Sequence, residues 1–496
     1  MGLITAPVRR PGPDMGVLRG LVNRIVAFVT IVTSGVMVGT QYWNPNKRVI
    51  PVVVVLLVFG VAWRLSMSAA LNVLVFLLPY PKGTVFGSTN LAFILMLFVI
   101  WLLRMSLKMS PPARSSPINV PIFGLILWYI LSFYNVRNDF ALERALQNFE
   151  LFLGCVLMYY MVINSVRTQR DLERLHMAQI ITALGAFLVT VWEARHAGQV
   201  LIPGLLDFSG TTGHDFNTRD VRVGGSFRDY ELLSEYCGLY FLLGVFLWIR
   251  ARSSTQRALF TAFVLFNVYT MYTTVTRGVF FALAIVIPFV LFTIRRHLNP
   301  VRFMTAVAMI IVLALTMNFF VAKFTNSGDL FQRMGETRVV HGVVPEARAK
   351  PWLNAWERAL VHPILGQGPY YDELPGYEFW WPHNVYLFVA NIVGFPGLMF
   401  FLMILFGLWA MMRPVVDDLR HASYADAFLI VGRAQWLMFC LNEIKIDFLR
   451  NQNYTFQVWL MFSTWTAAYL VSRSEGVRAG FHTGAPLPEP RSREAA

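Results

Sequence analysis

Five short segments of the chain hold residues whose types and spacing could do chemistry. Gly224-Gly225-Ser226-Phe227-Arg228 and Thr276-Arg277-Gly278 each lead into an apolar run. Arg348-Ala349-Lys350-Pro351-Trp352, His362-Pro363-Ile364-Leu365-Gly366-Gln367-Gly368 and His383-Asn384-Val385-Tyr386-Leu387 follow one another in a single polar stretch. A guanidinium is a planar fork of donors whose charge does not titrate away, so Arg228, Arg277 and Arg348 suit a phosphate-like anion. A helix starting at Arg277 would add its own positive partial charge. His383 can accept a proton near neutral pH, as a general base must. The expected catalytic set is His383, Arg277 and Arg348. Arg228, Arg222, Trp352, Asn384, Tyr386 and Arg450 are the expected substrate contacts.

Simpler readings compete at each position. Arg228 and Arg348 could be solvated loop charges, and Arg277 could snorkel to an interface. His383-Asn384 could only cap a helix. Trp352 and Trp356 share one helix face, which suits packing or stacking on a sugar. Gly366 and Gly368 read as a tight turn rather than a phosphate cradle, and His362 reads as structural. Charges inside apolar runs (Glu143, Arg144, Glu150, Arg433 and Glu443) are costly and face a cavity or a partner. Lys445, Asp447 and Arg450 follow them as secondary candidates. No His/Cys/carboxylate spacing fits a metal, and no phosphate loop or G-x-S-x-G occurs.

The elements that must position these residues are transmembrane helices. The 496 residues are 56% hydrophobic and only 14% charged, with a mean hydropathy of +0.53. Apolar runs recur at 22–42, 49–65, 67–80, 89–106, 119–135, 141–164, 172–194, 230–250, 257–275, 278–294, 302–321, 384–411, 424–445 and 453–472, all but 67–80 long enough to cross a bilayer. The expectation is an all-α polytopic membrane protein of about 12–14 such helices. The run at 67–80 is short and reads as a broken or re-entrant segment. Basic residues cluster in alternate short loops: Arg104, Lys108 and Arg114; Arg167, Arg170 and Arg174; Arg250, Arg252 and Arg257; Arg295, Arg296 and Arg302; Arg413 and Arg420. By the positive-inside rule these loops are cytoplasmic, with Lys47 and Arg48 as the exception.

That orientation divides the chain into a cytoplasmic segment 1–21, a first bundle 22–321 with an outer loop at 195–229, a large periplasmic loop 322–383, closing helices 384–472 and a disordered cytoplasmic tail 473–496. The first helix has no cleavage site behind it and is read as retained. Tyr377, Phe379, Trp380 and Trp381 read as an interfacial belt. Cys155, Cys237 and Cys440 read as free core thiols. The +14 net charge belongs to the cytoplasmic loops, so a nucleic-acid partner is not expected.

The five segments, in this order, resemble the O-antigen ligase and polymerase family of bacterial membrane glycosyltransferases. The resemblance covers about residues 209–400. It implies a C-type glycosyltransferase fold, with short helices in the periplasmic loop. It also implies transfer or polymerisation of glycan from an undecaprenyl-diphosphate-linked donor, at the outer face of the bacterial inner membrane. The displacement would be inverting and metal-independent, with no cofactor and with glycan, lipid A core or protein as acceptor. Arg228, Arg277 and Arg348 would clamp the diphosphate, and His383 would take the acceptor's proton. A lipid-linked glycan flippase is the alternative. Transporters show internal repeats and helices broken near the midplane, whereas the unusual residues here gather in a loop and at helix ends.

Overall fold

Polar caps punctuate the apolar runs and turn them into helices. The computed structural model describes residues 15–43, 49–80, 83–84, 87–196, 213–214, 221–274, 276–294, 339–340, 344–413 and 422–483, with isolated positions between 301 and 319. In chain order the helices are α1 Met15–Trp43, α2 Val49–Arg64, α3 Met67–Leu77, α4 Thr89–Ser106, α5 Asn119–Ser132, α6 Asp139–Ser165, α7 Gln169–Arg195, α8 Tyr230–Arg250, α9 Ser254–Thr273, α10 Arg277–Ile294, α11 Glu346–Val361, α12 Val385–Met411, α13 Tyr424–Asn442 and α14 Gln452–Thr483. Side chains cap α3 (Ser66), α6 (Asn138), α7 (Thr168 in a capping box with Asp171), α8 (Asp229), α9 (Ser253), α12 (Asn384) and α13 (Ser423), taking up backbone N–H groups that have no partner inside the helix. The strands described are two-residue antiparallel ladders.

The protein is an all-α polytopic membrane protein. Asp139–Ser165, Gln169–Glu193, Tyr230–Arg250 and Val385–Met411 are long and apolar enough to cross a membrane, and further helices such as Asn119–Asn135 and Arg277–Thr293 are apolar but shorter. Large side chains such as Phe28, Phe292 and Phe406 project outward, while Gln179, Glu235, Asn267, Gln435 and Gln457 are buried. That inverts the pattern of a water-soluble fold. The run at 67–80 is short, as expected: α3 has 11 residues. The span at 302–321 falls almost wholly outside the described residues, as do 322–338, 414–421 and most of 195–220. Helix α14 continues to Thr483, past the expected start of the polar tail at 473. The three cysteines are free.

Two sets of loops segregate to opposite ends of the bundle. At one end Arg167 donates to the Pro112 carbonyl at 2.7 Å, Arg104 to the Leu65 carbonyl at 2.8 Å, and Arg252 lies 3.8 Å from Glu173. At the other, Asn135 donates to the Gly366 carbonyl at 2.6 Å, Asn90 to Asn453 at 3.1 Å, and Arg450 meets Asp229 at 2.8 Å. The first set holds the basic short loops around residues 104–114, 167–174 and 250–257, and the second holds the motif residues.

The His-Pro-x-x-Gly-x-Gly segment docks on a break in α12. Gly394 there is non-helical, with φ 71°. The break frees the Asn391 and Ile392 carbonyls, which accept from Gln367 N at 2.7 Å and Gly368 N at 3.3 Å, and Phe395 N donates to the Pro363 carbonyl at 2.8 Å. A freed backbone group inside a membrane must find such a partner. The approach is tight: a Cβ on Gly366 would strike the Ile392 backbone, and one on Gly394 the Ile364 carbonyl. Gly366 and Gly368 therefore serve backbone geometry, in line with the tight-turn reading.

Candidate active site

The segment before α8 is a strained turn. Gly225 (φ 52°) and Arg228 (φ 55°) are both left-handed. Gly225 N donates to Glu193 Oε2 at 2.8 Å, and Asn451 donates to the Phe227 carbonyl at 2.6 Å. Held this way, Asp229 caps α8, accepting from Glu231 N at 2.9 Å and Leu232 N at 3.1 Å on Oδ1. Glu231 follows in the first turn.

A charged cluster forms on this corner. Arg450, in the 3-10 turn Phe448–Arg450, donates through Nη2 to Asp229 Oδ1 and to Glu231 Oε2, both at 2.8 Å. Glu231 Oε1 accepts from Arg348, on α11, at 2.8 Å. Arg450 is 13% exposed and Arg348 19% exposed, so these pairs are largely shielded from solvent. Burial alone would lower Arg450, but the carboxylates of Asp229, Glu231 and Asp447 hold it above its ordinary value. Burial pushes Asp229 up despite Arg450.

His383 lies against the same arginine. Arg450 Nη1 is 2.8 Å from His383 Nδ1, and Glu231 Oε2 is 3.9 Å from that nitrogen. Burial, then Arg348, push the imidazole down to about 4, although Glu231 pulls the other way. His383 also has a left-handed backbone, φ 46°, a conformation that costs on the order of 1–3 kcal/mol in a non-glycine residue and gathers at functional sites. Its neighbours hold it there. Val385 N donates to the Glu443 carbonyl at 3.0 Å, and Asn384 donates to the Ile444 carbonyl at 2.8 Å while its Oδ1 caps α12.

Lys445 joins α10 to this corner. A Cβ on Gly278 would collide with the Lys445 side chain out to Nζ. The lysine therefore lies across the first turn of α10, beside Arg277. Burial pushes it down to about 8, with Glu235 and Glu231 pulling up and Arg348 down. Glu235, one turn below Glu231, is fully buried with Glu443 and Tyr454 beside it. Asp447 accepts from the Trp381 indole at 2.5 Å, and burial raises it to about 6.

The structure thus brings Arg348, His383 and Arg450 into one cluster, with Arg277 and Lys445 at the adjoining start of α10. Arg228 stands one residue from Asp229 and is partly exposed. Arg222 lies in a two-residue ladder, and its side chain is outside the described residues. Three expected substrate contacts are committed within the fold instead. Asn384 caps α12, Tyr386 donates to the Cys440 carbonyl at 3.1 Å, and both Nη2 hydrogens of Arg450 go to carboxylates. Trp352 is partly buried, its indole N–H shielded and without a hydrogen-bond partner. Glu143, Arg144 and Glu150 are exposed on α6.

Sequence reasoning missed Asp229, Glu231 and Arg358. Arg358 is fully buried, lies 4.3 Å from the Tyr371 ring centre and donates to Gln367 at 3.1 Å. The aromatic stretch expected as a belt partly packs here: Tyr371 meets Phe379, Trp381 and Phe388 at 5.5–5.7 Å. Glu231 could have been found as an acidic residue opening an apolar helix just behind an arginine motif. Among the described residues no group of His, Cys, Asp or Glu is placed to hold a metal ion.

Chemically, the corner offers arginines beside a neutral imidazole, at the bundle end away from the basic loops. Residues 262–402 match the family model described as O-antigen ligase. The match takes in Arg277, Arg348 and His383 and leaves Arg228, Glu231, Lys445 and Arg450 on either side. No curated protein matches the chain.

Proposed function

Given that the chain carries the O-antigen ligase domain over residues 262–402, and with it a role in polysaccharide assembly as a glycosyltransferase-like membrane enzyme, we propose that it moves glycan from an undecaprenyl-diphosphate-linked donor at the periplasmic face of the inner membrane. The acceptor hydroxyl attacks the anomeric carbon from the face opposite the diphosphate. The bond to the diphosphate oxygen breaks, its electron pair stays with the leaving group, the hydroxyl's proton passes to solvent water, and the configuration inverts. Arg277 and Arg348 hold the diphosphate, and Arg228 extends this positive edge. Charge growing on the departing oxygens is what such fixed donors stabilise best. A diphosphate leaves readily, so the site needs no carboxylic acid to protonate it. Trp352 lines the glycan's approach. The large loop acts as the lid.

The observation that carries this reading is the meeting of Arg348, Arg450 and His383 around Glu231, from α11, the turn before α14, the segment just ahead of the α12 cap and α8. Four separate elements converge at one bundle end. The test is reconstitution of the purified chain with undecaprenyl-diphosphate glycan and separate acceptors. Longer lipid-linked chains mean polymerase, and glycan on lipid A core means ligase. An untouched donor with every acceptor would refute the proposal.

A further inference from the structure

The reading of His383 as a simple proton acceptor meets an obstacle in its own hydrogen bond. An arginine guanidinium only donates. With Arg450 Nη1 at 2.8 Å from Nδ1, that ring nitrogen must be the acceptor. A neutral imidazole carries one proton, and which nitrogen bears it follows from the bond the other one makes. The proton is therefore on Nε2.

We infer that Arg450 is a positioning residue that fixes the neutral His383 ring with its proton on Nε2, so that His383 meets the substrate as a hydrogen-bond donor. The inference deepens the transferase reading above and rests on it for the identity of the substrate. Arg450 is well built for the task. Both Nη2 hydrogens are anchored, on Asp229 and Glu231, and its Nε is shielded without a partner. The guanidinium plane is thus held from one edge, leaving Nη1 to aim at Nδ1. The strained backbone at His383 and the flanking bonds of Asn384 and Val385 hold the ring from the other side. A second proton, on Nδ1, would face Arg450 directly, which agrees with the lowered basicity of the ring. The N–H on Nε2 suits a diphosphate oxygen gaining charge as the donor bond breaks. A lysine could not copy this arrangement, because one ammonium cannot hold two carboxylates in a plane and still point a fixed donor at Nδ1.

The test begins without substrate. The full chain, labelled with 15N histidine, is placed in lipid nanodiscs, and the His383 signals are identified by their loss in His383→Gln. The expected result is a protonated Nε2 and an unprotonated Nδ1, with that preference lost in Arg450→Met. A proton on Nδ1 in the wild type, or an unchanged tautomer in an Arg450→Met chain that keeps the wild-type melting temperature, would overturn the inference. A second arm measures transfer. Glutamine can donate but cannot act as a base, so His383→Gln should keep at least tenfold more activity than His383→Ala. Equal loss in the two, with donor binding intact, would also overturn it. If the wild type transfers nothing from any lipid-linked donor, the transferase reading falls, while the tautomer result still decides the role of Arg450.

Discussion

Glu231 bridges two arginines, taking Arg348 on Oε1 and Arg450 on Oε2, each at 2.8 Å. The carboxylate ties helix α11 to the turn before α14 and leaves Arg348 at the edge of the cluster. Glu231→Gln should therefore loosen α11 as well as weaken the cluster. Breaking a buried ion pair by removing one partner costs about 3–5 kcal/mol, and the remaining exposure here argues for the lower end. Thermal unfolding of Glu231→Gln in detergent should show a clear drop in Tm, with faster proteolysis in the loop. An unchanged Tm would mean that the bridge contributes little.

Lys445 gives a pH signature with two opposite signs. Its ammonium is held down to about 8, below its ordinary value of about 10.5. As pH rises through 8 the folded protein loses this charge beside Arg277, so KM for the diphosphate donor should rise. Stability runs the other way. Between pH 8 and 10.5 the unfolded chain still holds the proton that the folded chain has released, so this group's contribution to stability increases with pH. Lys445→Met should flatten both trends. Gly278→Ala, which displaces the Lys445 side chain, should raise donor KM with little change in Tm, because a flexible side chain can move aside.

The break in α12 predicts a strong glycine requirement. Gly366 and Gly394 combine positive φ with backbone atoms where a Cβ would lie. Alanine at either position should cost on the order of 1–3 kcal/mol from the conformation alone, and more from the forced separation of the two segments. Hydrogen exchange at Gln367, Gly368 and Phe395 would report the loss, because their amides make the bonds across the break.

Much of the architecture could be read from the chain because membrane helices announce themselves: an apolar run and a polar cap are both local. The pairing of Gly366 with Gly394 is not local, and two glycine motifs do not reveal that each fills the other's missing side chain. Arg348 and His383 stood out because their residue types suit anion binding and proton chemistry, and the fold brings both to Glu231. Asp229 and Glu231 were passed over, since acidic residues at a helix start are already explained by capping and the helix dipole. Arg358 looks like the polar face of a loop helix until Tyr371 and Phe379, further along, fold over it. Arg450 looked like a free cation for substrate, and only the fold supplies the two carboxylates that occupy it.

The central claim is that Arg348 and His383 serve glycan transfer at one site. The most direct measurement is single-turnover consumption of undecaprenyl-diphosphate glycan by the purified wild type, Arg348→Ala and His383→Ala, each first shown to be folded in the membrane. The account predicts product of inverted anomeric configuration from the wild type and at least a hundredfold slower turnover in both variants, equivalent to about 2.7 kcal/mol of lost transition-state stabilisation. Wild-type rates in either variant, or a product of retained configuration, would contradict it.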